Sequence, residues 1–223
     1  STLRHTLFPY TTLFRSIHIL GSIDPDAYGR TLRRLARTPE EDTELRSEAI
    51  FSLTNDPSDK SLGALCALLG DPISVIRHSS AWALSKIGSS ETIPCLLAAL
   101  EDPETDVRDW AIRALRDMDD TRALQGLADT LERSPPNEQV RMIRLLIERR
   151  SEIILRAIAE LLDSSHKRVT RQAAWAMGVS PYPPATGALE TLLDDEDEQV
   201  RMYAKKALAR LGQVDSTDLG FIL

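Results

Sequence analysis

The feature that most constrains the fold is a 31-residue repeat, seen as apolar columns that keep their spacing over five periods. The unit is clearest in residues 90–119, where apolar residues recur every three or four positions in two runs separated by Asp102 and Pro103. That spacing places each run on one face of an α-helix. Because Asp-Pro ends one helix and suits the start of another, the unit is predicted to be two antiparallel helices. We name them helix A and helix B.

Three columns extend this prediction from one helix pair to most of the chain. One helix A column runs Leu62, Ile93, Leu124, Leu155 and Thr186. One helix B column runs Leu53, Leu84, Leu115, Leu146, Met177 and Leu208, and a column of small residues precedes it at Ala49, Ser80, Ala111, Ala173 and Ala204. A single helix pair cannot enclose a core, so successive pairs must stack. We predict about six pairs, over residues 24–55, 58–88, 89–119, 120–150, 151–180 and 183–212.

Two segments resemble the short HEAT-like repeats of the phycobilisome-lyase type. They are IRHSSAWALSKIGSSETIPCLLAALEDPETDVR (76–108) and VRMYAKKALARLG (200–212), with their alanines and, in the second, a Val-Arg start and a closing glycine. The resemblance covers roughly residues 24–212. It implies an all-α, right-handed α-solenoid of about six antiparallel pairs with helix B lining the concave side. Such repeats serve as scaffolds, lyase subunits and appendages of larger enzymes, so the resemblance is specific for fold and not for activity.

The two ends lie outside the repeat. Residues 6–16, TLFPYTTLFRS, back-translate to a sequence that resembles the end of a sequencing adapter. We therefore expect residues 1–16 to be a non-native segment and exclude them from the fold prediction. The predicted repeat domain covers residues 17–212, and residues 213–223 form a C-terminal tail.

Charge and apolar composition restrict the classes of partner. The net charge of −7 and the isoelectric point of about 5.2 argue against bulk affinity for nucleic acid or anionic membranes. The longest nearly uninterrupted apolar run, residues 62–70, is far shorter than the roughly 20 residues of a membrane span. Cys66 and Cys95 form no CxxC motif, so we expect two reduced core thiols in a cytoplasmic protein.

An acidic residue precedes an arginine by six positions in four of the repeats. The pairs are Glu40/Arg46, Asp71/Arg77, Asp102/Arg108 and Asp195/Arg201. Both members change together in repeats four and five, to Arg133/Gln139 and Ser164/Thr170. The joint loss favours ion pairing within or between repeats. The alternative is that the acids are only helix N-caps.

Repeat four is irregular at its turn. Pro135 and Pro136 lie there, and the Val-Arg pair comes two residues late. Because the neighbouring A helices keep their spacing, we predict that helix B of this repeat keeps its register. Its core residues would then be Met142, Leu145 and Leu146.

A column six residues into helix B is the candidate binding site. It holds Phe51, Trp82, Arg113, Arg144, Trp175 and Lys206, and His78, Arg171 and Met202 extend it four residues earlier. The column lies about 135° from the centre of the apolar face, so it should point out of the core. Aromatic and cationic side chains on a concave face suit an extended acidic or aromatic peptide. The alternative is that both tryptophans pack against adjacent repeats, and we expect packing for Trp110.

No motif indicates catalysis. The sequence has no GxGxxG, Walker loop, GxSxG or CxxC, and its four histidines are dispersed with no His-Glu pair, which disfavours the iron-binding HEAT-like hydroxylases. We predict a non-catalytic scaffold that binds a protein or extended peptide along helix B, without cofactor or metal. One alternative is a bilin-lyase-like enzyme or enzyme subunit that holds a tetrapyrrole. A less favoured one is a HEAT-like DNA-base glycosylase, against which the negative charge counts.

Overall fold

The computed structural model describes residues 25–118 and 120–212, and every regular element in them is helical. The segment 1–16 and the tail 213–223 fall outside the described residues. The α-helices are α1 Pro25–Arg37, α2 Thr43–Leu53, α3 Asp59–Leu68, α4 Ser74–Ile87, α5 Ile93–Ala99, α6 Thr105–Asp117, α7 Thr121–Arg133, α8 Pro136–Leu146, α9 Glu152–Glu160, α10 Lys167–Val179, α11 Thr186–Thr191 and α12 Glu198–Arg210. Short 3₁₀ turns at Ser90–Thr92, Leu161–Asp163, Pro183–Ala185 and Leu192–Asp194 adjoin the A helices of repeats three, five and six.

The described residues form two compact units. Those up to Ala114 belong to unit 1, and those from Leu115 onward belong to unit 2. In unit 1 the B helices α2 and α4 are packed neighbours, and in unit 2 the B helices α8, α10 and α12 are packed in that order. The odd-numbered helices are the A helices. The architecture is therefore that of an α-solenoid built from helix pairs, as the 31-residue period predicts.

The predicted columns form the core of each unit. In unit 1, Leu53 and Leu84 are completely buried, as are the small residues Ala49 and Ala111. Small side chains at these positions allow adjacent B helices to approach closely. In unit 2, Leu146 and Leu208 occupy the same column and are also completely buried.

Glycines close two of the B helices. Gly88, after α4, has a φ of 66°, and Gly212, after α12, has a φ of 72°. This left-handed conformation is strained for other residues, and it satisfies the last carbonyl groups of a helix. Gly88 is thus the C-cap of α4, whereas Gly212, the closing glycine noted in the sequence, follows the C-cap residue Leu211 of α12.

The register of repeat four is confirmed. Helix α8 starts at Pro136, and Met142 and Leu146 are buried in their predicted columns. Leu145 differs from the prediction because it is only half-buried, whereas Ile143 is completely buried. The apolar face of α8 is therefore rotated slightly from the one predicted.

The acid–arginine pairs connect successive repeats. Arg46 on α2 donates to Asp71 of the next turn, and Arg77 on α4 donates two hydrogen bonds to Asp102, of 2.7 and 3.0 Å. Asp102 also caps the following turn by accepting the amide hydrogen of Glu104 at 2.8 Å. The ion-pairing interpretation is therefore correct for Asp71 and Asp102, whose partners lie in the preceding repeat. The N-cap interpretation is wrong, because the N-caps of α4 and α12 are Ile73 and Asp197, and the acids accept amide hydrogens within the turns instead. Burial acts to raise the pKa of the Asp102 carboxyl, but the hydrogen bonds from Arg77 and the Glu104 amide, together with the charges of Arg77 and Arg108, outweigh it and leave the pKa below its usual value.

The same arginine position has a second role, which is a bond to the backbone of its own repeat. Arg77 donates to the carbonyl oxygen of Asp71 at 3.0 Å, which ties the turn to its own helix B. At the equivalent positions, Gln139 donates to the carbonyl of Leu131 at 3.1 Å and Thr170 donates to that of Ser164 at 3.0 Å. Shorter neutral side chains therefore keep a hydrogen bond to the backbone just before helix B, and they have no charge for an ion pair with the next repeat.

Candidate functional site

The predicted column lies at the surface of both units. Unit 1 contributes Phe51 from α2, Trp82 from α4 and Arg113 from α6, whereas unit 2 contributes Arg144 from α8, Trp175 from α10 and Lys206 from α12. Phe51 and Arg144 are exposed, and the other four side chains are half-buried. Both tryptophans are thus partly packed and partly available, between the two interpretations that the sequence left open.

Two aromatic rings of unit 1 hold each other in place. The rings of Phe51 and Trp82 meet edge to face, with centroids 4.8 Å apart and planes at 86°. The ammonium group of Lys86, one turn further along α4, lies 5.7 Å from the centre of the Trp82 ring. These contacts fix the orientation of both rings.

Trp110 takes part in this surface, which the sequence did not predict. Its indole N–H donates to Nε2 of His78 at 2.7 Å, and the Arg113 guanidinium lies 5.2 Å from the centre of its ring. Because Nε2 accepts, the imidazole proton must lie on Nδ1. The expected packing of Trp110 is only partial, since the residue is half-buried. We call Phe51, Trp82, Trp110 and His78 the aromatic strip.

Three arginines of unit 2 are each held by a neutral oxygen of the adjacent B helix. Arg144 donates to the Gln172 amide oxygen at 3.2 Å, and Arg168 donates to that of Asn137 at 3.1 Å. Arg210 donates to the carbonyl oxygen of Gly178. All three side chains are exposed. We call Arg144, Arg168 and Arg210 the arginine row.

Arg171, by contrast, is paired with a carboxylate. It belongs to the predicted site, and its guanidinium bonds Asp197 at the start of α12. The neighbouring Lys167 bonds Asp195 at 2.8 Å. The hydrogen bond from Arg171 lowers the pKa of Asp197, and that from Lys167 lowers the pKa of Asp195. These two cations are therefore neutralised at the acidic turn that precedes α12.

The prediction of two reduced core thiols is wrong. Cys66 on α3 and Cys95 on α5 form a disulfide, with their Cα atoms 5.6 Å apart. Their separation of 29 residues is close to one period, so stacking of consecutive A helices brings them together without a CxxC motif. Both residues are half-buried. The expectation of a reduced, cytoplasmic setting loses its premise, because disulfides persist mainly in oxidising compartments.

No three His, Cys, Asp or Glu side chains in residues 25–118 and 120–212 are grouped so that they could hold a metal ion. Within the same residues, no helix combines the length and the apolar character needed to cross a membrane.

Comparison with known families gives one match that covers most of the chain. The model for HEAT repeats matches residues 30–116, 88–147 and 154–219. No curated protein matches the sequence.

Solved structures similar to this chain are helical-repeat proteins. Importin beta has a TM-score of 0.57 at 14% identity, and the match covers 85% of this chain and 31% of the importin beta chain. The complex of CpcE and CpcF of phycocyanin lyase from Nostoc sp. PCC7120 has a TM-score of 0.48 at 21% identity, covering 82% and 77%. A designed armadillo repeat protein in complex with the peptide (KR)4 has a TM-score of 0.47 at 18% identity, covering 80% and 97%. At these identities the likeness concerns the fold alone.

Proposed function

The chain belongs to the HEAT-repeat family, and from that premise we propose that it is a non-catalytic scaffold that binds an extended segment of a partner protein. The binding surface in this proposal is the exposed face of the B helices. Each B helix presents its outward column beside that of the next repeat in the same unit. A segment that crosses the B helices of one unit would meet one such position per repeat.

The aromatic strip of unit 1 is the observation that carries this proposal. Its rings are half-buried or exposed, and neighbouring side chains fix them by the Phe51–Trp82 contact and the Trp110–His78 hydrogen bond. Aromatic side chains provide much of the energy of protein interfaces. Rings that are already ordered lose little conformational entropy when a partner binds. Core packing alone would bury these rings, and here it does not.

Unit 2 extends the proposal with its own set of residues. Arg144, Trp175 and Lys206 occupy the same column on α8, α10 and α12, and none is fully buried. Arg171 contributes less free charge than the sequence suggested, because Asp197 pairs with it. We assign Trp175 and Arg144 the larger roles in this unit.

The bilin-lyase alternative gains no specific support. A lyase of that type would call for a cysteine or carboxylate facing a pocket for the tetrapyrrole. Cys66 and Cys95 lie on A helices and are bonded to each other, so neither is a free nucleophile on the helix B face. The scaffold function is the better supported of the two.

The test is a selection of random linear peptides, displayed on phage, on the full chain. Selected peptides are then measured by fluorescence polarisation on the wild type and on a Phe51→Ala, Trp82→Ala, Trp110→Ala variant. A matched control, Ile73→Ala with Val75→Ala, removes apolar side chains that are 36% and 51% exposed at the start of helix α4. Circular dichroism confirms that both variants remain helical.

The proposal expects selected peptides to lose at least tenfold in affinity on the aromatic variant and to keep their affinity on the control. Equal binding to all three proteins would show that the aromatic strip is not a binding surface. A selection that enriches no peptide on the full chain would reject the scaffold function itself.

A further inference from the structure

We infer that the arginine row of unit 2 is a binding site for an acidic segment of the partner protein, with carboxylates at alternate residues. The inference rests on the proposed function, because it names the chemistry of the segment that the helix B face would bind. It concerns Arg144, Arg168 and Arg210, of which only Arg144 was singled out by the sequence.

The three guanidinium groups of the arginine row are held in position but are not neutralised. Each donates to a neutral oxygen 28 to 32 residues away in sequence, from Asn137, Gln172 or Gly178. Among the described residues, none of the three has a carboxylate within ion-pair distance. An arginine has five N–H donors, so each keeps several for a ligand. A guanidinium fork held in this way matches the two oxygens of a carboxylate.

Neighbouring cations on the same helix are paired with carboxylates, so the neutral partner of Arg168 is not a general property of this surface. Lys167 and Arg171 flank Arg168 on helix α10, and each bonds an aspartate of the turn before α12. Arg168 points instead to Asn137 on α8. Within one helical turn, two cations stabilise the stack through ion pairs and one remains available at the surface.

The spread of the row indicates a ligand with several charges. Each arginine of the row is tied to one position along α10. These positions, which we use as the levels of the guanidinium groups, are Arg168 itself, Gln172 for Arg144 and Gly178 for Arg210. With a rise of about 1.5 Å per residue, the levels are about 6 Å and 9 Å apart, about 15 Å in total. A single small anion cannot span that distance. Alternate side chains of an extended chain are about 6.6 Å apart, so about five extended residues would cover the row.

An acidic protein segment fits the surroundings better than a nucleic acid does. The whole chain has a net charge of −7, and residues 194–198, which lead into α12, are all acidic. A long phosphate backbone would be repelled by these charges beyond the row. A short acidic segment can contact the row and end before the acidic turn. Half-buried Trp175 and Tyr203 on the same helices add apolar surface for its side chains.

The experiment uses a fluorescein-labelled ten-residue peptide of alternating glutamate and serine, measured by fluorescence polarisation on the full chain. The comparison peptides replace glutamate by glutamine or by lysine, and a ten-residue oligodeoxythymidine tests the nucleic-acid possibility. The variant is Arg144→Gln, Arg168→Gln, Arg210→Gln. The control is Arg133→Gln, Arg150→Gln, Arg156→Gln, which removes the same charge from exposed positions of unit 2 outside its B helices. Circular dichroism checks both.

The glutamate peptide should bind the wild type at least tenfold more tightly than either comparison peptide, and more tightly at low salt. The dissociation constant should rise at least tenfold in the row variant and stay within twofold in the control. Equal losses in both variants would show that binding depends only on net charge and would overturn the inference. Tighter binding of the oligonucleotide than of the glutamate peptide would also overturn it.

Failure of this inference can be told apart from failure of the scaffold function. If the glutamate peptide does not bind but selected peptides still require the aromatic strip, the partner is not acidic and the scaffold stands. If neither binds, both proposals fail.

Discussion

The ion pair between Arg77 and Asp102 should be a main link between repeats two and three. Their side chains are only 11% and 6% exposed, and two hydrogen bonds join them. Asp102→Asn keeps an oxygen for the Glu104 amide hydrogen but removes the charge opposite Arg77. Breaking a buried pair costs about 3 to 5 kcal/mol, and the carbonyl bonds that remain to Arg77 reduce this to about 2 to 3 kcal/mol. Urea denaturation at pH 7 measures the loss.

The pH dependence of this loss provides a stricter check. The pKa of Asp102 is lower in the folded protein than its usual value of about 3.9 in an unfolded chain. The stabilisation is therefore complete above about pH 5 and is lost as the pH falls through the lowered folded pKa. The gap between wild type and Asp102→Asn should be full at pH 6 and shrink below pH 3. Asp195→Asn is the control, because its partner Lys167 is 43% exposed and screened by water. An Asp102→Asn loss no larger than the control's, or a gap that persists at pH 2, would refute the reasoning.

Three further predictions test other contacts of unit 1. Replacing Cys66 and Cys95 by serine should lower the free energy of unfolding by about 3 to 4 kcal/mol, from the loop of about 30 residues that the disulfide closes, and adding a reductant to the wild type in thermal melts should give the same shift. His78→Ala should cost about 1 kcal/mol and move the Trp110 indole N–H signal in a proton–nitrogen NMR spectrum, and an unmoved signal would contradict the hydrogen bond. Leu96→Ala, at a completely buried position, should cost about 2 to 5 kcal/mol, and hydrogen exchange should show the adjacent helices opening first, whereas uniform opening of all helices would be contrary to a repeat fold.

The helix pairs could be predicted because burial repeats with the chain. Leu84 and Leu146 belong to one column, whose successive members are 31 residues apart, and both are completely buried. Contacts between repeats are harder to predict, since they depend on the rotation between neighbouring helices. Trp110 is one period plus one residue from His78, and Cys95 is one period minus two from Cys66. A comparison of residues separated by nearly one period would have included both pairs. The sequence gives no reason to prefer these separations over others.

The candidate site was only partly predictable for a related reason. Outward direction follows from helical periodicity, which placed the Trp82 and Arg144 column at the surface. Whether an outward side chain is free to bind a ligand depends on which partner the neighbouring repeat places beside it. Arg171 lies on the predicted face, and Asp197 neutralises it. Arg168 was not predicted, and its partner is the neutral Asn137. Sequence position alone does not distinguish these two arginines, which are three residues apart on one helix.

The charge of the partner, more than burial, separates arginines that hold this fold together from those that can bind a ligand. The equivalent positions of other repeats support this distinction, because Gln139 and Thr170 keep a hydrogen bond to the backbone before helix B without any charge. The charge of Arg77 is therefore needed only for the carboxylate of the next repeat. Where the next repeat offers a neutral oxygen, as Gln172 does for Arg144, the hydrogen bond orients the guanidinium group and leaves its charge without a carboxylate partner. Exchanging Gln172 for glutamate should accordingly stabilise unit 2 slightly and weaken binding of the glutamate peptide, a combination that a purely structural role for Arg144 would not produce.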